Sequence, residues 1–186
     1  MTMDRFIPNF DDSDEPEYQR IGSDPSWRKI YDFVSNGFWH VTSPTSWDAI
    51  RSSGAIEPNV GGRFPKRFGD ISDRSYGYLK KYVSIFDFAT PTERQVMRQW
   101  GNSWDVLVAQ DSDQILLQLD RESLSPDIIP NSANFNEAVG QIEGGCIPWV
   151  EVWFPHKIPV ASIKGVFRIP ATDRYEFKPV PEPTDG

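Results

Sequence analysis

Residues Phe38 to Ser43 read FWHVTS, and the assignment of this stretch decides how the rest of the chain is read. Aromatic and β-branched residues surround one histidine, a helix-like segment ending at Gly37 precedes it, and a Ser/Pro/Thr turn follows, which together describe a short buried strand. His40 then stands where the strand hands over to a loop. Thr42, two residues on, leaves the same face as His40, so imidazole and hydroxyl can meet one ligand together, with the Ser43 hydroxyl beside them. A lone histidine in an apolar strand equally suits a satisfied core position, and the residues downstream must decide between the two.

Upstream, DPSWRKIYDFVSNG carries helix signals: Asp24 as N-cap, Pro25 at the first position, Trp27, Ile30, Phe33 and Val34 at helical spacing, and Gly37 past the end. Downstream, SPTSWDAIRSSGAIEPN predicts a short helix capped by Thr45 or Ser46, with Trp47 and Ile50 facing inward and Gly54 as its stop. Residues 57–74 are rich in Gly, Pro and charge and read as a long loop. Arg63, Lys66, Arg67 and Arg74 make it the one positive cluster of the chain, suited either to a phosphate of a cofactor or nucleic acid or to plain solvation.

SYGYLKKYVSIFDF places Tyr76, Tyr78 and Tyr82 around a short helix and then a strand from about Val83 to Phe88. Thr90, Pro91 and Glu93 have the spacing of a capping box for a helix running through Val96, Met97 and Trp100 to Gly101. Strands are expected at Trp104 to Ala109 and Gln114 to Leu119, joined by a polar turn at Asp111 to Asp113. A weak helix follows at Phe135 to Ile142, then a strand over IPWVEVWFP and a last strand from Gly165 to Ile169. One strand with its helix, a loop, and then mostly strands is an α+β pattern with a mixed or largely antiparallel sheet. Neither G-x-G-x-x-G nor a P-loop sequence occurs, so no Rossmann or P-loop cradle is expected.

The chain of 186 residues suits one domain, expected over residues 25–178, with an acidic arm at residues 1–24 and a loose proline-rich tail at residues 179–186. Much of the net charge of −8 lies in that arm, where Asp4, Asp11, Asp12, Asp14, Glu15, Glu17 and Asp24 outweigh Arg5 and Arg20. An acidic balance argues against gripping a nucleic-acid backbone by bulk electrostatics, although local basic contacts stay open. Cys146 is the single cysteine, which excludes an internal disulfide and a cysteine-based metal site and fits a reducing cytoplasm. With no apolar run of membrane-spanning length and acids where a signal peptide needs a basic start, a soluble, cytoplasmic protein is expected.

The second singular residue is Glu151, a carboxylate inside the apolar stretch Ile147 to Phe154. Strand alternation sets Trp149 and Trp153 on its side and Val150 and Val152 on the other. A buried charge must find hydrogen bonds, a cation or a ligand, so Glu151 is a structural ion pair, a carboxylate on a wet sheet face, or a functional group.

Three segments, FWHVTSPTSWDAIRSSGAIEP, SYGYLKKYVSIFDF and EVWFPHKIPVASIKGV, together resemble the ADP-ribosyltransferase superfamily. The first and last are most similar to the DNA-modifying, toxin-type ADP-ribosyltransferases and, more distantly, to RNA 2'-phosphotransferases. The resemblance implies a split β-sheet with flanking short helices and NAD as substrate. It also implies a transferase that releases nicotinamide and passes ADP-ribose to a macromolecular acceptor, nucleic acid or protein. In that reading Glu151 stabilises the oxocarbenium-like ribose and holds a ribose hydroxyl. His40, Thr42 and Ser43 would contact the cofactor, one of Tyr76, Tyr78 and Tyr82 would stack on nicotinamide, and Ser84 would support Glu151 from the adjacent strand. No metal is implied.

Two departures narrow the expectation. The arginine-modifying branch has Glu or Gln two residues before the catalytic glutamate, where this chain has Trp149, and the RNA 2'-phosphotransferases use more arginines and a second histidine than His40 and a turn residue, His156, supply. A catalytically silent binding protein on the same fold, and an NAD glycohydrolase with water as acceptor, remain as alternatives.

Overall fold

FWHVT forms β1 (Phe38–Thr42), which occupies an interior position in a sheet. It pairs along its whole length with β4 (Gln114–Leu119), with Phe38 opposite Leu119 and Thr42 opposite Ile115. On its other side lies β3 (Val83–Asp87), and there only Phe38↔Asp87 and Trp39↔Phe86 are paired. The computed structural model describes residues 25–63, 73–99, 112–136, 141–173 and 176–181. Among them the main sheet has six strands in the order β10 (Lys178–Pro179), β9 (Ile163–Ile169), β4, β1, β3, β7 (Glu151–Phe154), and every pairing is antiparallel. With short helices around it, this is an α+β fold.

Both faces of the sheet are covered, which is why the strands read as nearly continuous apolar runs. One face carries Trp39, Val41, Phe86 and Leu116 and packs under α1 (Pro25–Val34) through Trp27, Ile30 and Val34, and under α4 (Glu93–Arg98) through Val96. The other carries Phe38, Ile85, Leu117 and Val152 and packs under α2 (Pro44–Ser53) through Trp47. That second layer is completed by Ile56 of β2 (Ala55–Ile56), Ile158 of β8 (Ile158–Pro159), which pairs with it, and Leu124 of α5 (Arg121–Leu124). α3 (Tyr76–Lys80) leads into β3.

Several local expectations are corrected. The N-cap of α2 is Ser43, not Thr45 or Ser46: Pro44 takes the first helical turn and the Ser43 hydroxyl accepts the Ser46 N–H at 3.1 Å. The capping box of α4 is Thr92 with Gln95, one turn residue pair later than Thr90 with Glu93, because Asp87 Oδ1 already accepts the N–H groups of Ala89 and Thr90 and holds them in a turn. The helix expected over Phe135 to Ile142 is instead a pair of short antiparallel strands, β5 (Phe135–Asn136) and β6 (Gln141–Ile142). Fully buried Asn134 explains this, since its carboxamide donates to the Gly144 carbonyl at 2.6 Å and accepts the Gly144 N–H at 2.9 Å, pinning the two ends of the segment together.

The strand expected over IPWVEVWFP begins only at Glu151. Residues Ile147 to Val150 form a turn in which Trp149 has φ 59°, so Trp149 does not share a strand face with Glu151. Pro179 and Val180, expected in a loose tail, lie along β9, with the Val180 N–H donating to the Val166 carbonyl at 2.8 Å. Asp24, the acidic arm, Lys66, Arg67, Trp100, the strand expected at Trp104 to Ala109, and residues 182–186 lie outside the described residues.

Leu117, fully buried in the second layer and opposite His40 on β4, tests this two-sided core. Leu117→Ala is expected to lower stability by about 2–5 kcal/mol in urea unfolding; a loss below about 1 kcal/mol would show that the site collapses around the cavity.

Candidate active site

Glu151 opens β7, at the edge of the sheet, and is 7% exposed. Its carboxylate has no ion-pair partner among the described residues. Three neutral donors meet it instead: the Ile147 N–H on Oε2 at 3.0 Å, the Trp153 indole N–H on Oε1 at 3.3 Å, and the hydroxyl of Ser84. Burial pushes the carboxyl above its ordinary range, and the hydrogen bonds from Ile147, Ser84 and Trp153 oppose that shift without cancelling it.

Each donor is delivered by a separate piece of local structure. Ser84 sits opposite Trp153 in the β3–β7 ladder, so both side chains leave the face from which Glu151 also projects. Ile147 comes from the turn before β7, whose shape depends on Trp149 in the left-handed region, a conformation that costs a bulky residue of order 1–3 kcal/mol. Asn131 takes up that turn: its Nδ2 donates to the carbonyls of Glu151 at 2.8 Å and Ile147 at 3.2 Å, and its Oδ1 accepts the Trp149 N–H at 3.3 Å. Gly77 is also required, since a Cβ there would lie 2.6 Å from Ser84 Oγ and 3.0 Å from the Trp153 ring.

The residues singled out from the sequence separate into two groups. His40 is half-buried, and its Nδ1 lies 3.0 Å from the Ser84 carbonyl. A carbonyl only accepts, so Nδ1 carries a proton there. The contact falls where the β1–β3 ladder has already ended; continuing the Phe38↔Asp87 register would set Val41 opposite Ser84. The same register puts His40 and Glu151 on opposite faces, because Trp39, not His40, shares a face with Phe86 and hence with Glu151. What joins them is Ser84, by its carbonyl to His40 and by its hydroxyl to Glu151. Thr42 is buried, and Ser43 is engaged as the cap of α2.

Of the tyrosines, Tyr76 packs against Trp153 with ring centroids 4.4 Å apart and donates its hydroxyl to the Ala133 carbonyl at 3.0 Å. It is part of the wall behind Glu151. Tyr82 meets Tyr76 edge-on and, like Tyr78, is half-buried. In the basic segment, Arg63 and Lys157 both pair with Glu57, and Arg74 lends its carbonyl to the Gly145 N–H. His156 is exposed. Sequence reasoning missed Asn131, Asn134 and Gly77. Their signal was present as polar or small residues next to aromatic stretches, but nothing local says which backbone groups they meet.

Among the described residues no group of three or more His, Cys, Asp or Glu could hold a metal ion, and no helix is long and apolar enough to cross a membrane. The chain is thus an α+β protein whose main feature of chemical interest is a buried, neutrally solvated carboxylate. No protein-family model matches it, and no curated protein matches it. Among solved structures, it aligns over 69% of its length with 82% of the X-ray structure of protein CC0527 from Caulobacter crescentus, at 13% identity and a TM-score of 0.38. A double mutant of that protein aligns at 12% identity with the same coverage and score. Similarity of that extent specifies neither family nor function.

Two outcomes follow from the geometry. A carboxyl whose folded pKa is raised contributes stability that is complete below its unfolded value of about 4.3 and is lost as pH rises through the folded value. Glu151→Gln has no such loss, so its stability relative to wild type should climb with pH from about 4.3 upward, as urea unfolding across a pH series will read; a flat difference contradicts the raised pKa. Gly77→Ala should cost about 1–3 kcal/mol by overpacking against Ser84 and Trp153, again measured by urea unfolding.

Proposed function

We propose that the protein is an NAD-dependent ADP-ribosyltransferase that releases nicotinamide and passes ADP-ribose to a macromolecular acceptor, nucleic acid or protein. The observation that carries the reading is Glu151, a carboxylate buried with no cation beside it among the described residues and held by three neutral donors. A structural role would be served as well by an apolar residue of similar volume, whereas a charge kept in a dry, fixed site is what stabilises a developing cation.

Cleavage of the nicotinamide–ribose bond leaves positive charge on the ribose carbon and ring oxygen. Glu151 faces that charge as a carboxylate, and because its donors are already in place, no reorganisation is needed as the bond breaks. Ser84 and Trp153 fix the orientation of the carboxylate, and His40 holds Ser84 from the far side of the strand. The ribose lies on the Glu151 face of β3 and β7, and His40, which with Thr42 lies on the opposite face, acts on the site through Ser84. Tyr82 or Tyr78 stacks on nicotinamide; Tyr76 is committed to Trp153 and Ala133. The acceptor enters after nicotinamide leaves, and its nucleophilic atom bonds to the ribose carbon while losing a proton to solvent or to Glu151.

A second reading has its own support. The 7% exposure of Glu151, and its position on the opposite face from His40, suit a silent binding protein in which the carboxylate only fastens a turn. Nicotinamide release from NAD, measured with and without cell extract as acceptor, separates the readings. Wild type should release nicotinamide, and Glu151→Gln should lower the rate by about 10²–10³. Release accompanied by free ADP-ribose and no labelled macromolecule identifies an NAD glycohydrolase. No release under either condition leaves the silent binding protein.

A further inference from the structure

In the Ile147–Glu151 turn a bulky residue, Trp149, is held in the left-handed region beside the candidate catalytic group. Ile147 is bonded to Glu151 twice: its N–H donates to Oε2 at 3.0 Å and its carbonyl accepts the Glu151 N–H at 3.0 Å. The aim of the first bond therefore depends on the shape of the turn. Outside β7, the Asn131 side chain grips that shape: it engages the carbonyls at both ends of the turn and the N–H at its middle, and also lies 3.6 Å from Cys146 Sγ. Asn131 is brought there by Ile129, which bridges to Trp153 through both its N–H and its carbonyl, at 2.8 and 3.0 Å, along the outer edge of β7.

We infer that Asn131 is a positioning residue for Glu151: by holding the strained turn, it keeps the Ile147 N–H aimed at the carboxylate and the carboxylate aimed at the reacting ribose. The inference rests on the transferase reading for its catalytic consequence, but its structural content stands apart from it. An apolar residue at position 131 would remove one acceptor contact from the Trp149 N–H and one donor each from the carbonyls of Glu151 and Ile147, the latter keeping the Glu151 N–H, and the left-handed conformation would lose contacts that hold it.

The test compares wild type, Asn131→Ala and Asn131→Asp as full-length chains. Asn131→Asp is isosteric and keeps an oxygen for the Trp149 N–H while losing both donor contacts. Two readouts are taken: kcat and KM for nicotinamide release from NAD, and hydrogen exchange at the Ile147 amide by NMR. The expected result is a fall in kcat of about 10²-fold with KM within about twofold, together with loss of protection at Ile147. A rise in KM with kcat unchanged, or an Ile147 amide that stays protected as in wild type, overturns the inference. Should Asn131→Ala fail to fold, Asn131→Asp carries both readouts. Should wild type release no nicotinamide, the transferase reading fails by itself, and exchange at Ile147 still decides whether Asn131 holds the turn.

Discussion

Taking a carboxylate out of water costs several kcal/mol unless its lone pairs are met, and much of the β7 edge of this protein is arranged around meeting those of Glu151. Among the described residues no cation takes part. The donors come from a turn, a neighbouring strand and the carboxylate's own strand, so the site exists only while all three are in register. Asn131 holds the turn, Gly77 leaves room for Ser84, and Tyr76 backs Trp153. A change at any of these positions reaches the carboxyl through one intermediate group.

The sheet supplies the frame for this arrangement. Helices and short strands pack β1, β3 and β4 from both faces, and the β1–β3 ladder ends early, after Trp39. His40 spans that place, bonding a carbonyl of β3 from β1. Ser84 then serves two masters, with its backbone tied to the histidine and its side chain to the glutamate. A polar connection thus crosses the sheet from one face to the other in a region otherwise built from apolar side chains.

The raised carboxyl of Glu151 sets stability against the role proposed for it. Burial makes ionisation of this carboxyl less favourable in the folded chain than in the unfolded one, while the proposed role in stabilising positive charge needs the carboxylate. Groups retained at such a cost to stability are typical of sites kept for chemistry, and the same logic applies to the left-handed Trp149 beside it.

Much of the fold was legible along the chain. FWHVT, QILLQL and the helix from Pro25 each announce themselves by β-branched and aromatic runs or by helical spacing with a terminal glycine, because those signals act within a few residues. His40 and Glu151 stood out for the same local reason, as ionisable groups in apolar surroundings. Three things were decided only in three dimensions. Pairing of Asn134 with Gly144 turned an expected helix into a pair of short strands, a left-handed Trp149 cut short the strand expected over IPWVEVWFP, and strand register put His40 and Glu151 on opposite faces with Ser84 between them. The physical reason is common to all three. Hydrogen bonds between residues distant in sequence outweigh local propensity, and alternation within a strand says which residues share a face but not which face that is until the neighbouring strand is in place.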